Sequence, residues 1–155
     1  MGTGNPSARL LLLGEAPGAN ELKYGVPFVG RAGGLLNELL GAVSLSREDL
    51  YITNVCGCVE LSREDKRPLP AELDACRPRV LREIESVEPM VCLLMGNTAM
   101  SFWYPGYRIG QIYNTARCVD GIVYIPTYHP AAALRNPQLK PVITEALDVA
   151  KRLCY

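Results

Sequence analysis

Histidine is nearly missing from this chain. His129 is the only one among 155 residues, so a metal centre built from several histidines is excluded, and imidazole chemistry reduces to one aimed group. Long apolar runs are missing too. No stretch approaches the ~20 residues that a membrane-spanning helix needs. Leu10 to Leu13, with only Arg9 before it, is too short for a secretory segment and reads as a buried strand. Neither sign of charge is in excess. The 16 basic and 16 acidic residues cancel, unlike the strongly basic profile of a tight nonspecific nucleic-acid binder, although a local basic patch remains open. No Gly-Lys-Ser/Thr follows a glycine loop, so a P-loop nucleotide hydrolase has no support. There is no Cys-x-x-Cys among the six cysteines, and Cys56-Gly57-Cys58 is too tight for a standard ligand pair. Without a secretory signal, reduced thiols or metal ligands are expected rather than disulfides. Internal repeats, linkers and low-complexity stretches are absent as well.

What is present reads as globular. The chain is 48% apolar and 21% charged, and its length suits a single domain over residues 1–155. Leu10–Leu13 runs into Gly14-Glu15-Ala16-Pro17-Gly18, a strand followed by a loop that continues from Ala19 to Arg31. Leu35, Leu36, Leu39 and Leu40 predict an amphipathic helix over 33–43. Leu50–Val55 is β-branched and aromatic, hence a second strand. Residues 60–70 form a charged loop. A helix over 70–85 follows, with Pro70 in its first turn and Leu73, Val80, Leu81 and Ile84 on its apolar face. Met90–Met95 is a strand covered on both faces, and Gly96-Asn97 turns into a short helix. Ile112–Val119 and Ile122–Pro126 flank Asp120-Gly121, a hairpin signal. A last helix covers about 141–153.

This alternation predicts an α/β fold: a three-layer α/β/α sandwich around a central, mainly parallel four-stranded sheet. Ligands of such sheets bind beyond the carboxyl ends of the strands. Three loops leave those ends, after the first strand, after Asn54 and from His129 onward, and they carry the unusual residues. Pro130 confines His129 to extended backbone and is expected to stop a helix from starting there. By itself His129 could be a structural loop residue.

The segments Gly14-Glu15-Ala16-Pro17-Gly18, Gly25-Val26-Pro27-Phe28-Val29-Gly30-Arg31-Ala32-Gly33, Tyr51-Ile52-Thr53-Asn54-Val55, Thr127-Tyr128-His129-Pro130 and Leu134-Arg135-Asn136-Pro137 together resemble the uracil-DNA glycosylase superfamily. They are most similar to its family four, whose members are often thermophilic and carry an iron–sulfur cluster. The resemblance runs from about Gly4 to the last helix. It implies a DNA-repair glycosylase that flips uracil out of DNA and hydrolyses its N-glycosidic bond, leaving an abasic site, with no metal needed for the chemistry.

The resemblance also implies roles. Hydrolysis passes through an oxocarbenium-like sugar, by analogy with O-glycosidases. Glu15 would orient, and in part deprotonate, the attacking water and stabilise the cationic sugar. His129 would donate to uracil O2 as charge develops there, a term of ~3 kcal/mol for one well-aimed donor. Phe28 would stack on the flipped base, Gly14 and Ala16 would contact it, and Asn54 would read its edge. An amide that accepts from N3–H and donates to O4 fits uracil and mismatches cytosine. Each has a plain structural alternative: a backbone-capping Glu, a core Phe, a turn Asn. Gly18 stands where another branch has Tyr, so the wall against the thymine methyl falls to Glu21 or Tyr24.

Gly30, Arg31 and Gly33, with Gly34, precede a helix and could bind a phosphate through backbone N–H groups. In the family the last loop enters the minor groove, which makes Leu134 the wedge and Arg135 a phosphate contact. The partners implied are uracil-containing DNA and no membrane. The protein would be a monomer, in the cytoplasm beside a prokaryotic nucleoid.

Family four holds a [4Fe–4S] cluster on four cysteines. Cys58 and Cys76 match its downstream pair, while the upstream Cys-x-x-Cys has no counterpart in this chain. Two explanations stay open: a chain that starts after that pair, or a lineage that lost the cluster or recruited Cys56 or Cys154. A cluster normally takes four thiolates, so it is expected only if two further ligands exist. Cys92 reads as core packing. Rival functions are a glycosylase of the same fold for hypoxanthine or xanthine and a degenerate, non-catalytic DNA-binding domain.

Overall fold

The computed structural model describes residues 2–57, 64 and 67–155. Its centre is a sheet of six strands: β1 (Thr3–Gly4), β2 (Leu10–Gly14), β3 (Leu50–Asn54), β4 (Val91–Met95), β5 (Arg117–Val119) and β6 (Ile122–Thr127), in the order β1-β3-β2-β4-β6-β5. β3, β2, β4 and β6 are parallel neighbours. β1 and β5 close the two edges in antiparallel sense.

The four-stranded sheet expected from the sequence is therefore corrected to six. β1 is too short to show a period, whereas β5 is what remains of the hairpin arm expected over 112–119. β1 has two residues, and its Gly4 has φ +114 with the Leu50 carbonyl oxygen 2.1 Å from where a Cβ would lie. Only glycine can approach that closely. β5 is the first arm of the Asp120-Gly121 hairpin, whose turn residues both have positive φ, 52 and 82, as a tight twisted turn requires. It spans three residues only. The rest of 112–119 is not strand, because Asn114 turns the chain (φ 57) and its N–H donates to the Pro126 carbonyl at 2.6 Å.

Both faces of the parallel core are covered, which is why its strands read as continuous apolar runs. Leu10, Leu12, Leu50, Ile52, Val91 and Leu93 meet helices α2 (Arg31–Ala42) and α7 (Lys140–Cys154). Leu11, Leu13, Cys92 and Leu94 meet α3 (Pro70–Val87), α4 (Asn97–Met100) and α5 (Ile109–Ile112). Leu10 to Leu13 are fully buried, each worth about 1.5–3 kcal/mol of transfer free energy. Among the described residues no helix is long and apolar enough to cross a membrane.

Two further helices depart from expectation. α1 (Ala19–Tyr24) lies inside the loop expected over 19–31; it buries no residue, so it has no apolar face to betray it. α6 (Pro130–Arg135) begins at the proline that was expected to forbid a helix start. The physical reason is position. In the first turn proline's missing N–H is not needed, and its fixed φ suits the helix. His129 is extended as anticipated, with φ −71 and ψ 141, and serves as the N-cap.

Candidate active site

Four parallel strands end on the same side of the molecule, so the residues that follow them converge. Gly14 and Asn54 are register partners at the ends of β2 and β3. The ladder continues beyond them, with the Val55 N–H donating to the Gly14 carbonyl and the Cys56 N–H to the Glu15 carbonyl, both at 2.9 Å. A Cβ on Gly14 would lie 2.4 Å from Asn54 Oδ1 and 2.7 Å from Phe28 Cζ. Glycine here is what lets an amide and an aromatic ring share one space.

Phe28 is held in that space by force from several directions. Its φ of 55 is uncommon for an aromatic residue. Arg47 donates to the Pro27 carbonyl at 2.9 Å and to the Phe28 carbonyl, while its Nε meets Asn37 Oδ1 at 2.6 Å. From the other side Glu21 Oε1 accepts from the N–H groups of Val29 (3.0 Å) and Gly30 (2.9 Å). Below, Gly33 is buried against the loop, and a Cβ there would sit 1.8 Å from the Phe28 oxygen.

The Phe28 ring stacks on His129, with centroids 5.3 Å apart and planes inclined by 24°. His129 Nδ1 accepts from the Ala131 N–H at 3.0 Å. Its own proton is thereby left on Nε2 in the neutral ring. Burial, then the Arg135 cation, pushes its pKa down to about 4, against a weaker pull upward from Glu21. At neutral pH His129 is an uncharged donor. Ala16, Glu21, Phe28, Asn54 and His129 border a cavity of about 260 Å³, together with Gly18, Gly30 and Arg31. An adjoining cavity of about 370 Å³ brings Glu15, Thr98, His129, Arg67 and Arg135 together. Glu15 Oε2 accepts from the Thr98 hydroxyl.

The other candidates are placed as follows. The Gly30 N–H is taken by Glu21, and the Gly34 N–H by the Gly30 carbonyl. Arg31 is exposed at the first position of α2. On α6 Ala133 is buried, whereas Leu134 and Arg135 are exposed. Of the two residues considered for the methyl wall, Glu21 lines the cavity and Tyr24 is 63% exposed outside it. Sequence reasoning missed Arg47, Thr98 and Arg79. Arg79, on α3, donates to the carbonyls of Asn54 (2.6 Å) and Val55 (2.8 Å) and pairs with Glu83 at 2.7 Å. No local signal marks them; each acts through a partner at least 19 residues away.

Among the cysteines, Cys58 lies outside the described residues. Cys56 and Cys76 are neighbours; burial and then the Cys76 thiol push Cys56 up to about 12. Cys154 cannot join them. Its Sγ faces the Arg9 carbonyl at 3.4 Å, at the amino end of β2, whereas Cys56 follows the carboxyl end of the parallel β3. At ~3.3 Å per residue the six residues between the levels of Leu50 and Cys56 amount to ~20 Å. Four thiolates are needed for a cluster, and among the described residues no group of three or more potential metal ligands is assembled. Of the two matching cysteines the described residues include Cys76, with Cys56 beside it, and they do not by themselves fit the cluster.

Comparison with known proteins shows the family. The family model of the uracil DNA glycosylase superfamily matches residues 1–151. The chain is similar to the type-4 uracil-DNA glycosylase of Archaeoglobus fulgidus, 38% identical over 99% of this chain and 80% of that protein. It is also similar to that of Thermotoga maritima, 39% identical over 97% and 80%, and to that of Saccharolobus solfataricus, 38% identical over 93% and 70%.

Proposed function

The chain belongs to the uracil DNA glycosylase superfamily, in its type-4 branch, and from that premise we propose that it is a DNA-repair enzyme excising uracil. It flips the base out of DNA, hydrolyses the bond between N1 and the sugar C1′, and leaves an abasic site. The observation that carries the reading is the neutral His129, its Nδ1 tied to the Ala131 N–H, at a cavity shared with Phe28 and Asn54.

The chemistry follows from those groups. As the glycosidic bond lengthens, positive charge grows on the sugar and negative charge on the base. The Nε2–H of His129 donates to uracil O2 in step with that charge, and a donor already in place needs no reorganisation. Glu15 orients the water that adds at C1′, takes up its proton and screens the cationic sugar. Phe28 gives the flipped base a stacking surface, and Gly14 and Ala16 border its place. Asn54 pairs with N3–H and O4, so cytosine leaves buried polar groups unpaired. Glu21, fixed by two backbone N–H groups, forms the wall that a C5 methyl would strike.

Arg31 and Arg135 contact phosphates, Gly30 lets the DNA backbone approach the start of α2, and Leu134 fills the gap in the stack; Gly33, buried beneath the Phe28 carbonyl, makes room for the loop instead. The partner is uracil-containing DNA, met by a monomer in the cytoplasm at the nucleoid. If a [4Fe–4S] cluster is present, Cys58 and Cys76 are the ligands that match, with two further thiolates required; the hydrolysis needs no metal. The test uses oligonucleotides carrying one uracil, thymine, cytosine or hypoxanthine, read as alkali-labile cleavage, with the visible absorbance of the protein recorded alongside. Cleavage at uracil alone is expected. Preferred cleavage at hypoxanthine would reassign the substrate, and a folded protein that cleaves none would overturn the enzyme.

A further inference from the structure

The turn after β4 belongs to neither of the loops that carry Glu15 and His129, yet it touches both residues. Gly96 opens it with φ 95 and ψ 172. The Gly96 N–H donates to the Thr127 carbonyl at 2.8 Å, and a Cβ on Gly96 would lie 3.3 Å from the His129 Cβ. Asn97 Oδ1 accepts from the Ile109 N–H at 2.8 Å, which ties the turn to α5. The Thr98 carbonyl accepts from the Ser101 hydroxyl at 2.8 Å. The turn is therefore fixed before any substrate arrives. From it the Thr98 hydroxyl donates to Glu15 Oε2, and Thr98, Glu15 and His129 line one cavity.

We infer that Thr98 is the positioning residue of Glu15 in the reaction proposed above, on which this inference rests. A glutamate side chain has three rotatable bonds and no single preferred pose on a loop. A hydroxyl has one proton to give, and here the carboxylate receives it. One lone pair of Oε2 is thereby engaged and the carboxylate is held in one pose, with Oε1 free of that bond for the attacking water. The division matters because an unanchored carboxylate holds the water in the reactive geometry only part of the time. Thr98 lines the cavity of Glu15 and not the one bordered by Phe28 and Asn54. Its effect appears in the rate of the chemical step and not in recognition.

The test is single-turnover cleavage of a uracil oligonucleotide by wild type, Thr98→Val and Thr98→Ser, read as the rate at saturating enzyme and the enzyme concentration at half saturation. Thr98→Val keeps the shape and removes the hydroxyl, and should slow the saturated rate roughly 10- to 100-fold, the range for losing a hydrogen bond to a charged group. Half saturation should change less than about twofold, since uniform binding is untouched. Thr98→Ser restores the hydroxyl and should recover most of the rate. A Thr98→Val rate equal to wild type, a change in half saturation alone, or Thr98→Ser as slow as Thr98→Val would each overturn the inference. Should Thr98→Val fail to fold, Thr98→Ala against Thr98→Ser gives the same contrast. Wild type inactive on uracil would instead overturn the function and take the inference with it.

Discussion

The two walls of the cavity beside Asn54 are built by opposite means. The Phe28 wall is held from a distance. Arg47 reaches it across 19 residues, Glu21 caps it from α1, and Gly33 leaves room beneath it. The His129 wall holds itself: Pro130 starts α6, and Ala131, two residues on, fixes the ring. A wall assembled from remote side chains fails when a remote residue changes. A wall assembled from its own backbone tolerates change everywhere but in its own few residues.

The largest expected effect falls on the local wall. His129→Ala should slow uracil excision ~10²- to 10³-fold, as loss of one oxyanion donor does. Its melting temperature should stay near wild type, because the capping bond serves only α6; a collapse in stability would show that the wall is not local. Gly33→Ala comes next. Its Cβ would overlap the Phe28 carbonyl, which backs onto Arg47, so the loop must shift, at a cost of about 1–3 kcal/mol in denaturant unfolding, with activity reduced. An unperturbed Gly33→Ala would mean that the wall is looser than its contacts imply. Arg47→Met keeps the stem and removes the bonds to two carbonyls. It should destabilise by about 1–3 kcal/mol and weaken binding of uracil DNA while leaving the His129 titration in place. A moved titration would reveal that the ring stack couples the walls.

The smallest effect is a matter of pH. His129 is neutral in the fold down to about 4 but titrates near 6.5 when unfolded. Between those values the unfolded chain binds the extra proton, so this contribution to stability is full above about 6.5 and is lost as pH falls toward 4. Activity should persist at pH 5.5 and fail near 4, with an NMR midpoint for His129 to match. Arg135→Gln removes a cation that holds the value down and should raise that midpoint.

The same contrast governs what could be read from the sequence. The parallel core was legible because leucines and valines buried on both faces leave unbroken runs, and the carboxyl-end loops followed from that order. Gly14, Glu15, Phe28, Asn54 and His129 stood out by motif. β1 and α1 did not, since one has two residues and the other buries none. Pro130 was misjudged because its effect depends on whether it stands inside a helix or at its first turn. Arg47, Arg79 and Thr98 were illegible for a different reason: an arginine on a helix or a threonine after a strand means nothing until the fold shows whose carbonyl or carboxylate it meets.

The pairing of Gly14 with Asn54 gives the sheet one more duty, that of a ruler. Leu10 faces Leu50 and the match runs unbroken to Gly14 and Asn54, so the spacing between the residue before Glu15 and the Asn54 amide is set by counting, not by loop flexibility. One residue added to either strand would advance its end by ~3.3 Å and turn its side chains to the opposite face. The spacing of Gly14 and Asn54 is thereby calibrated in the hydrophobic core, upstream of the loops that follow them.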